Sequence, residues 1–115
     1  MYRHIDKAKL DEISAGSLAL IQDLVHMFSK QVDNFSLQLD VLLEKKDYEP
    51  LAKLAHKIKG SVSTLGMSNL ADKMKQLEEH AKTNDAEKKA KGLIETFNKV
   101  SKEALEELND ILTKT

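Results

Sequence analysis

His56, Lys59 and Gly60 are the residues of this sequence whose types and spacing could do chemistry together. On an α-helix, positions three and four residues apart share one face, so Lys59 and Gly60 would both neighbour the His56 imidazole. A neutral imidazole is a nucleophile near pH 7 and can form a covalent intermediate, such as a phosphoryl adduct. A lysine beside it would place positive charge near the phosphoryl oxygens, where catalysis is mostly positioning and electrostatics. The spacing therefore predicts phosphoryl chemistry at His56.

Gly60 adds a second indication. A glycine inside a helix costs roughly 1 kcal/mol relative to alanine, so its presence suggests that another protein must approach the backbone there. Taken singly, the three residues have ordinary interpretations: a solvated histidine, a solvated lysine and a helix-packing glycine. Because all three would lie on the same face of one helix, the functional interpretation is favoured.

The composition predicts a small helical domain. The chain has 115 residues, of which 32% are charged, with one proline and four glycines, and we expect residues 1–115 to form a single domain. The absence of cysteine excludes a disulfide scaffold and thiolate metal sites, and it fits the cytoplasm. A net charge of −1 gives no electrostatic basis for binding nucleic acid, and no apolar run is long enough to cross a membrane. The remaining histidines lack metal-ligand spacing and are expected on the surface; they are His4, His26 and His80.

The chain begins with two predicted helices. Residues 6–14 fit a short helix with Leu10 and Ile13 facing inward. Ser17 is a suitable N-cap for a long amphipathic helix over residues 18–45. Its apolar stripe steps by three and four residues and consists of Ile21, Leu24, Val25, Phe28, Val32, Phe35, Leu39, Leu42 and Leu43.

The third helix contains the histidine. Asp47 can cap this helix, and its buried stripe is predicted to be Leu51, Leu54, Ala55, Ile58 and Val62. At about 100° per residue, His56 lies roughly 140° from the middle of that stripe. It should therefore face outward or lie at the rim of the core. The same face holds Ala52, Lys59, Gly60 and Ser63.

Two further helices complete the predicted fold. Gly66 should break the chain before a helix capped near Ser68 and extending to about residue 82, with Leu70, Ala71, Met74, Leu77 and Ala81 inside. Asp85 could cap a last helix that runs almost to the C-terminus, with Leu93, Ile94, Phe97, Val100, Ala104, Leu108, Ile111 and Leu112 inside. The predicted fold is all-α, an antiparallel up-down four-helix bundle with a short additional N-terminal helix.

The residues around His56 resemble the sequence motif of a known family. The stretch from Leu54 to Ser61, followed by Leu65-Gly66, Leu70 and Leu77-Glu78, resembles the histidine phosphotransfer (HPt) domain family of multistep two-component phosphorelays, over about residues 10–77. The resemblance implies that His56 accepts a phosphoryl group from a receiver-domain aspartyl phosphate and passes it to another receiver. Lys59 would stabilise the phosphate, Gly60 would admit the receiver, and Glu78 falls where some family members orient the imidazole with a glutamine.

The resemblance also implies partners. They would be response-regulator receiver domains and a sensor histidine kinase, either simple or hybrid. The receiver would bring the Mg²⁺, so that this chain binds no cofactor or metal and has no kinase activity of its own. Candidate docking residues are Leu20, Met27 and Ser63, although the first two also fit bundle core or packing against the N-terminal helix. We expect a cytoplasmic monomer without membrane insertion. The alternative is a helical interaction module that binds a receiver or another protein without phosphotransfer. An autonomous kinase would need a Gly-rich nucleotide loop, which the sequence lacks, and nothing in the sequence supports a phosphatase.

Overall fold

The computed structural model describes residues 2–83 and 86–114, which form five α-helices. These are α1 (Lys7–Ser14), α2 (Leu18–Glu44), α3 (Tyr48–Thr64), α4 (Ser68–His80) and α5 (Ala86–Lys114). No strand occurs in the two described ranges, so the predicted all-α class is confirmed there. In the same ranges, no helix combines the length and apolar character needed to cross a membrane. The predicted cap Asp85 lies outside the described residues.

Four of the helices enclose a common core. Each of α2, α3, α4 and α5 packs against two of the others, in the cyclic order α2, α3, α4, α5, and α1 packs against α2. The apolar stripes predicted for the helices supply most of the core, because each stripe faces the centre of this arrangement. The largest fully buried side chains are Phe28, Phe97, Leu10, Leu39, Leu51, Ile58, Met67, Leu70, Met74, Leu77, Ile94 and Leu108.

A tight turn joins α2 to α3. The backbone N–H of Lys46 donates to the Leu43 carbonyl at 3.0 Å, and the N–H of Asp47 donates to the Leu42 carbonyl at 2.9 Å. This is the Schellman pattern, in which the residue after the C-cap takes a left-handed conformation. Lys46 has φ 56°. The turn occupies only three residues, so α3 begins immediately and runs along α2.

Gly66 ends α3 in the same way and also holds the N-terminal segment. Its φ is 76°, and its carbonyl accepts the N–H of Asp6 at 2.8 Å. A Cβ atom at this position would lie 2.8 Å from the Asp6 carbonyl oxygen. Glycine is therefore needed for both the backbone conformation and the close approach of the two segments. Its role is structural.

Several local predictions are wrong, and the packing explains them. Ile13 is 39% exposed, because the short α1 buries the face of Leu10 and Ser14 instead. Ala52 is buried rather than outward, since α4 covers that side of α3. His4 is partly buried, with its ring 3.1 Å from a Glu103 carboxylate oxygen. The predicted helix ends, by contrast, agree within two residues: the long helix ends at residue 44, and α4 starts at residue 68 after the cap position 67 and ends at residue 80.

Candidate functional site

His56 lies on the solvent side of α3, as its angle from the buried stripe predicts. Ile58 and Val62 are completely buried, and they fix which face of α3 meets the core. The opposite face carries the imidazole, whose side chain is 65% exposed. The ring is therefore accessible to another protein.

One edge of the ring contacts α4. The Nδ1 atom of His56 lies 3.2 Å from Oε1 of Glu78, whose side chain is only 22% exposed. The neighbouring Leu77 is completely buried, and it anchors the turn of α4 from which Glu78 reaches the rim of the core. An ionised carboxylate can only accept a hydrogen bond, so Nδ1–H is the donor. In a neutral ring the lone pair is then on Nε2, the nitrogen that points away from Glu78.

His56 and Glu78 line an open groove between α3 and α4, which we call the His56 groove. Its volume is about 520 Å³, and the small side chains Ala52 and Ala81 are part of its lining. Lys53 and Lys82 are at its rim, and Nζ of Lys82 lies 3.9 Å from Oε2 of Glu78. Neither lysine was singled out from the sequence. The available signal was the i, i+4 spacing of residues 78 and 82.

The other residues predicted on this face of α3 lie close to the histidine along the helix. Lys59 is half-buried one turn after His56. Gly60 is exposed, and a Cβ atom built on it would have no atom within 4 Å. Ser63 is half-buried two turns after His56. Positive charge and an uncovered stretch of backbone therefore adjoin the imidazole on the same face.

A smaller groove between α2 and α3 adjoins this face. The side chain of Thr64 donates to the Gly60 carbonyl at 3.0 Å, and Thr64 also lines the small groove together with Met27 and Ser61. Met27 is 56% exposed. Leu20 is also exposed, but it lies two turns, about 10 Å, before Met27 on α2 and outside the groove. The structure thus places Met27 in a groove with Ser61 and Thr64, which follow Gly60 on α3, and leaves Leu20 apart.

The charged groups near His56 do not form a metal site. Across residues 2–83 and 86–114, no cluster of three or more histidine and carboxylate side chains is arranged to hold a metal ion. What the arrangement offers is one exposed ring nitrogen, a carboxylate on the other ring nitrogen, and lysines around the groove. It can present a nucleophile to an activated group that another molecule brings.

Comparison with known proteins gives one result. A family model described as Hpt domain matches residues 23–113, which include most of α2 and all of α3 and α4 with His56 and Glu78. Neither the curated proteins nor the solved structures give a significant match.

Proposed function

The chain belongs to the Hpt domain family, and from that premise we propose that His56 accepts a phosphoryl group from an aspartyl phosphate of one receiver domain and passes it to an aspartate of another. Hpt domains perform histidine phosphotransfer in phosphorelays, in which they work with receiver domains and histidine kinases. The observation that carries the proposal is the exposed His56 ring, held at Nδ1 by Glu78 and open at Nε2.

The geometry supports a direct transfer. The Nε2 lone pair forms the new N–P bond, the bond between phosphorus and the aspartyl oxygen breaks, and its electron pair leaves with the receiver's carboxylate. The Nδ1 proton stays on the ring, so the positive charge that develops on the imidazole lies 3.2 Å from the Glu78 carboxylate. Reversing the same step delivers the phosphoryl group to the next receiver.

The surroundings of the ring suit the docking of a receiver. Lys59 supplies positive charge for the phosphoryl oxygens, and Gly60 leaves room for the receiver's backbone. We include Ser63 and Met27 in the docking surface, with Leu20 at its periphery. Met27 offers an exposed, adaptable apolar side chain next to the face that carries the histidine.

The proposal also covers the rest of the molecule. Residues 1–115 act as one domain, a monomer in the cytoplasm, whose four long helices run alternately up and down with α1 at one side. The chain has no kinase activity of its own. An aspartyl phosphate is already activated, and the Mg²⁺ that neutralises its oxygens belongs to the receiver, so the chain needs no metal or cofactor.

Transfer of label from a phosphorylated receiver tests the proposal. We expect the protein to acquire an acid-labile, base-stable phosphate that is absent from His56→Gln and present in His26→Gln, a matched exposed histidine on α2. Incubation with ATP and Mg²⁺ alone should give no label. If His56→Gln is labelled, the assignment is wrong. A receiver that binds without any transfer would instead favour the interaction module.

A further inference from the structure

A second groove lies between α4 and α5, on the other side of α4 from the His56 groove. We call it the α4/α5 groove; its volume is about 720 Å³. Gln76 and His80 line it from α4, while Glu78 of the same helix and Lys82, just after its end, line the His56 groove. The two grooves therefore use different faces of α4, and both can be occupied at the same time.

Gly92 of α5 forms part of the lining and is not explained by the protein's own packing. It lies inside a helix, where glycine costs roughly 1 kcal/mol relative to alanine. A Cβ atom at this position would have no atom within 4 Å. Gly16 and Gly66, by contrast, have a φ of 76° and are needed for their turns. The open backbone at Gly92 suits the close approach of another chain.

The charges around the α4/α5 groove indicate what kind of partner chain could bind there. Lys88, Lys89 and His80 line it, and no aspartate or glutamate of the described ranges is among its lining residues. Lys88 forms no ion pair with residues 2–83 or 86–114. The nearby Glu87 carboxylate lies 3.8 Å from Nζ of Lys46, so it is directed toward the α2/α3 turn. At Lys88 the groove thus presents a positive charge that no described residue pairs with.

The floor of the α4/α5 groove offers an apolar side chain and hydrogen-bonding groups in addition to this charge. Leu93 is half-buried and packs against the core, with part of its side chain lining the groove. The Gln76 amide can both donate and accept. A complementary ligand would combine carboxylates with at least one apolar side chain, which is the chemistry of an acidic protein segment.

We propose that the α4/α5 groove is a second docking surface, which binds an acidic segment of a partner protein. Its carboxylates face Lys88 and His80, and its backbone passes over Gly92 with an apolar side chain against Leu93. This inference goes beyond phosphotransfer, because a partner bound there leaves His56 open. The protein can then be held in place while receivers exchange phosphoryl groups at the other face.

Titration with a short peptide of aspartate and glutamate around one central leucine tests this surface. In ¹H–¹⁵N NMR spectra of the full chain, we expect saturable shifts at the amides of Gly92, Leu93 and Thr96, with little change at Gly60. A peptide with lysine in place of the acidic residues should not bind. Binding confined to the α4/α5 groove supports the proposal; absence of saturable binding, or shifts centred on the His56 groove, overturns it.

Variants make the test specific. Lys88→Glu should weaken binding of the acidic peptide by about tenfold, and Gly92→Leu should weaken it similarly by filling the open space. Lys75→Glu, which makes the same charge change on α4 outside the groove, is the matched control and should bind normally. Equal loss in the control, or normal binding by both groove variants, overturns the proposal. Thermal unfolding checks that each variant is folded, and His56→Gln should bind the peptide normally, so that this result is independent of phosphotransfer.

Discussion

Removing the carboxylate that faces His56 should slow phosphoryl transfer without unfolding the protein. Glu78→Ala deletes the acceptor that lies 3.2 Å from Nδ1. A hydrogen bond to a charged group contributes about 1.5–3 kcal/mol when buried. Because the imidazole is 65% exposed and the carboxylate 22% exposed, solvent screening reduces this to about 1 kcal/mol. If the contact orients the ring during transfer, the rate should fall about fivefold.

The assay is rapid-quench transfer from a phosphorylated receiver, combined with NMR of the imidazole nitrogens. The wild type should carry its ring proton mainly on Nδ1, and Glu78→Ala should lose that preference. Glu78→Gln keeps an oxygen acceptor and should have an intermediate rate. Glu79→Ala is the matched control, since it removes an exposed carboxylate from the next position of α4.

Two results would refute this reasoning. If Glu78→Ala transfers at the wild-type rate with an unchanged ring tautomer, the carboxylate does not position His56. If Glu79→Ala slows transfer as much as Glu78→Ala, the effect comes from the general charge of α4 and not from the contact with Nδ1.

Three further predictions concern the glycines and the N-terminal contact. Gly60→Ala should raise the unfolding temperature by about 4 °C, because its Cβ meets no atom within 4 Å, while a larger side chain there should slow transfer from a receiver. Gly66→Ala should be clearly more destabilising than Gly16→Ala in thermal unfolding, because both have φ 76° but only the first adds a clash; equal losses would contradict this. The hydrogen bond with His4 lowers the pKa of Glu103, so this contact stabilises the fold above the carboxyl's unfolded pKa and is lost as the pH falls through the lowered value. The difference in unfolding temperature between wild type and Glu103→Gln should therefore shrink below about pH 4, and a constant difference from pH 6 to 3 would contradict it.

The helices and the exposure of His56 could be predicted from the sequence because both depend on periodicity within one segment. The stripe on α2 repeats every three to four residues over its whole length, and Ser17 accepts the N–H of Leu20 as an N-cap should. The same periodicity placed His56 opposite the stripe of α3. Such features need no knowledge of neighbouring helices.

What the sequence could not predict depends on which elements meet. A helical wheel gives an angle but not the side on which a neighbour packs, so Ala52 was expected outside although α4 covers it. The partial burial of His4 required the N-terminal segment to reach Glu103 on α5, which is 99 residues away in sequence. The rim position of Lys82 likewise follows from how α4 lies against α3.

The four glycines divide into two pairs, and the division bears on both proposed surfaces. Gly16 and Gly66 have left-handed backbone conformations that other residues rarely adopt, so the fold itself explains them. Gly60 and Gly92 lie inside helices, have no atom near the place of a Cβ, and so lower helix stability without any gain in packing. Gly92 lines the α4/α5 groove together with Lys88, and Gly60 lies one turn from His56, with its carbonyl accepting from Thr64 of the groove between α2 and α3. A folding requirement cannot account for this second pair, whereas the close approach of two different partners can.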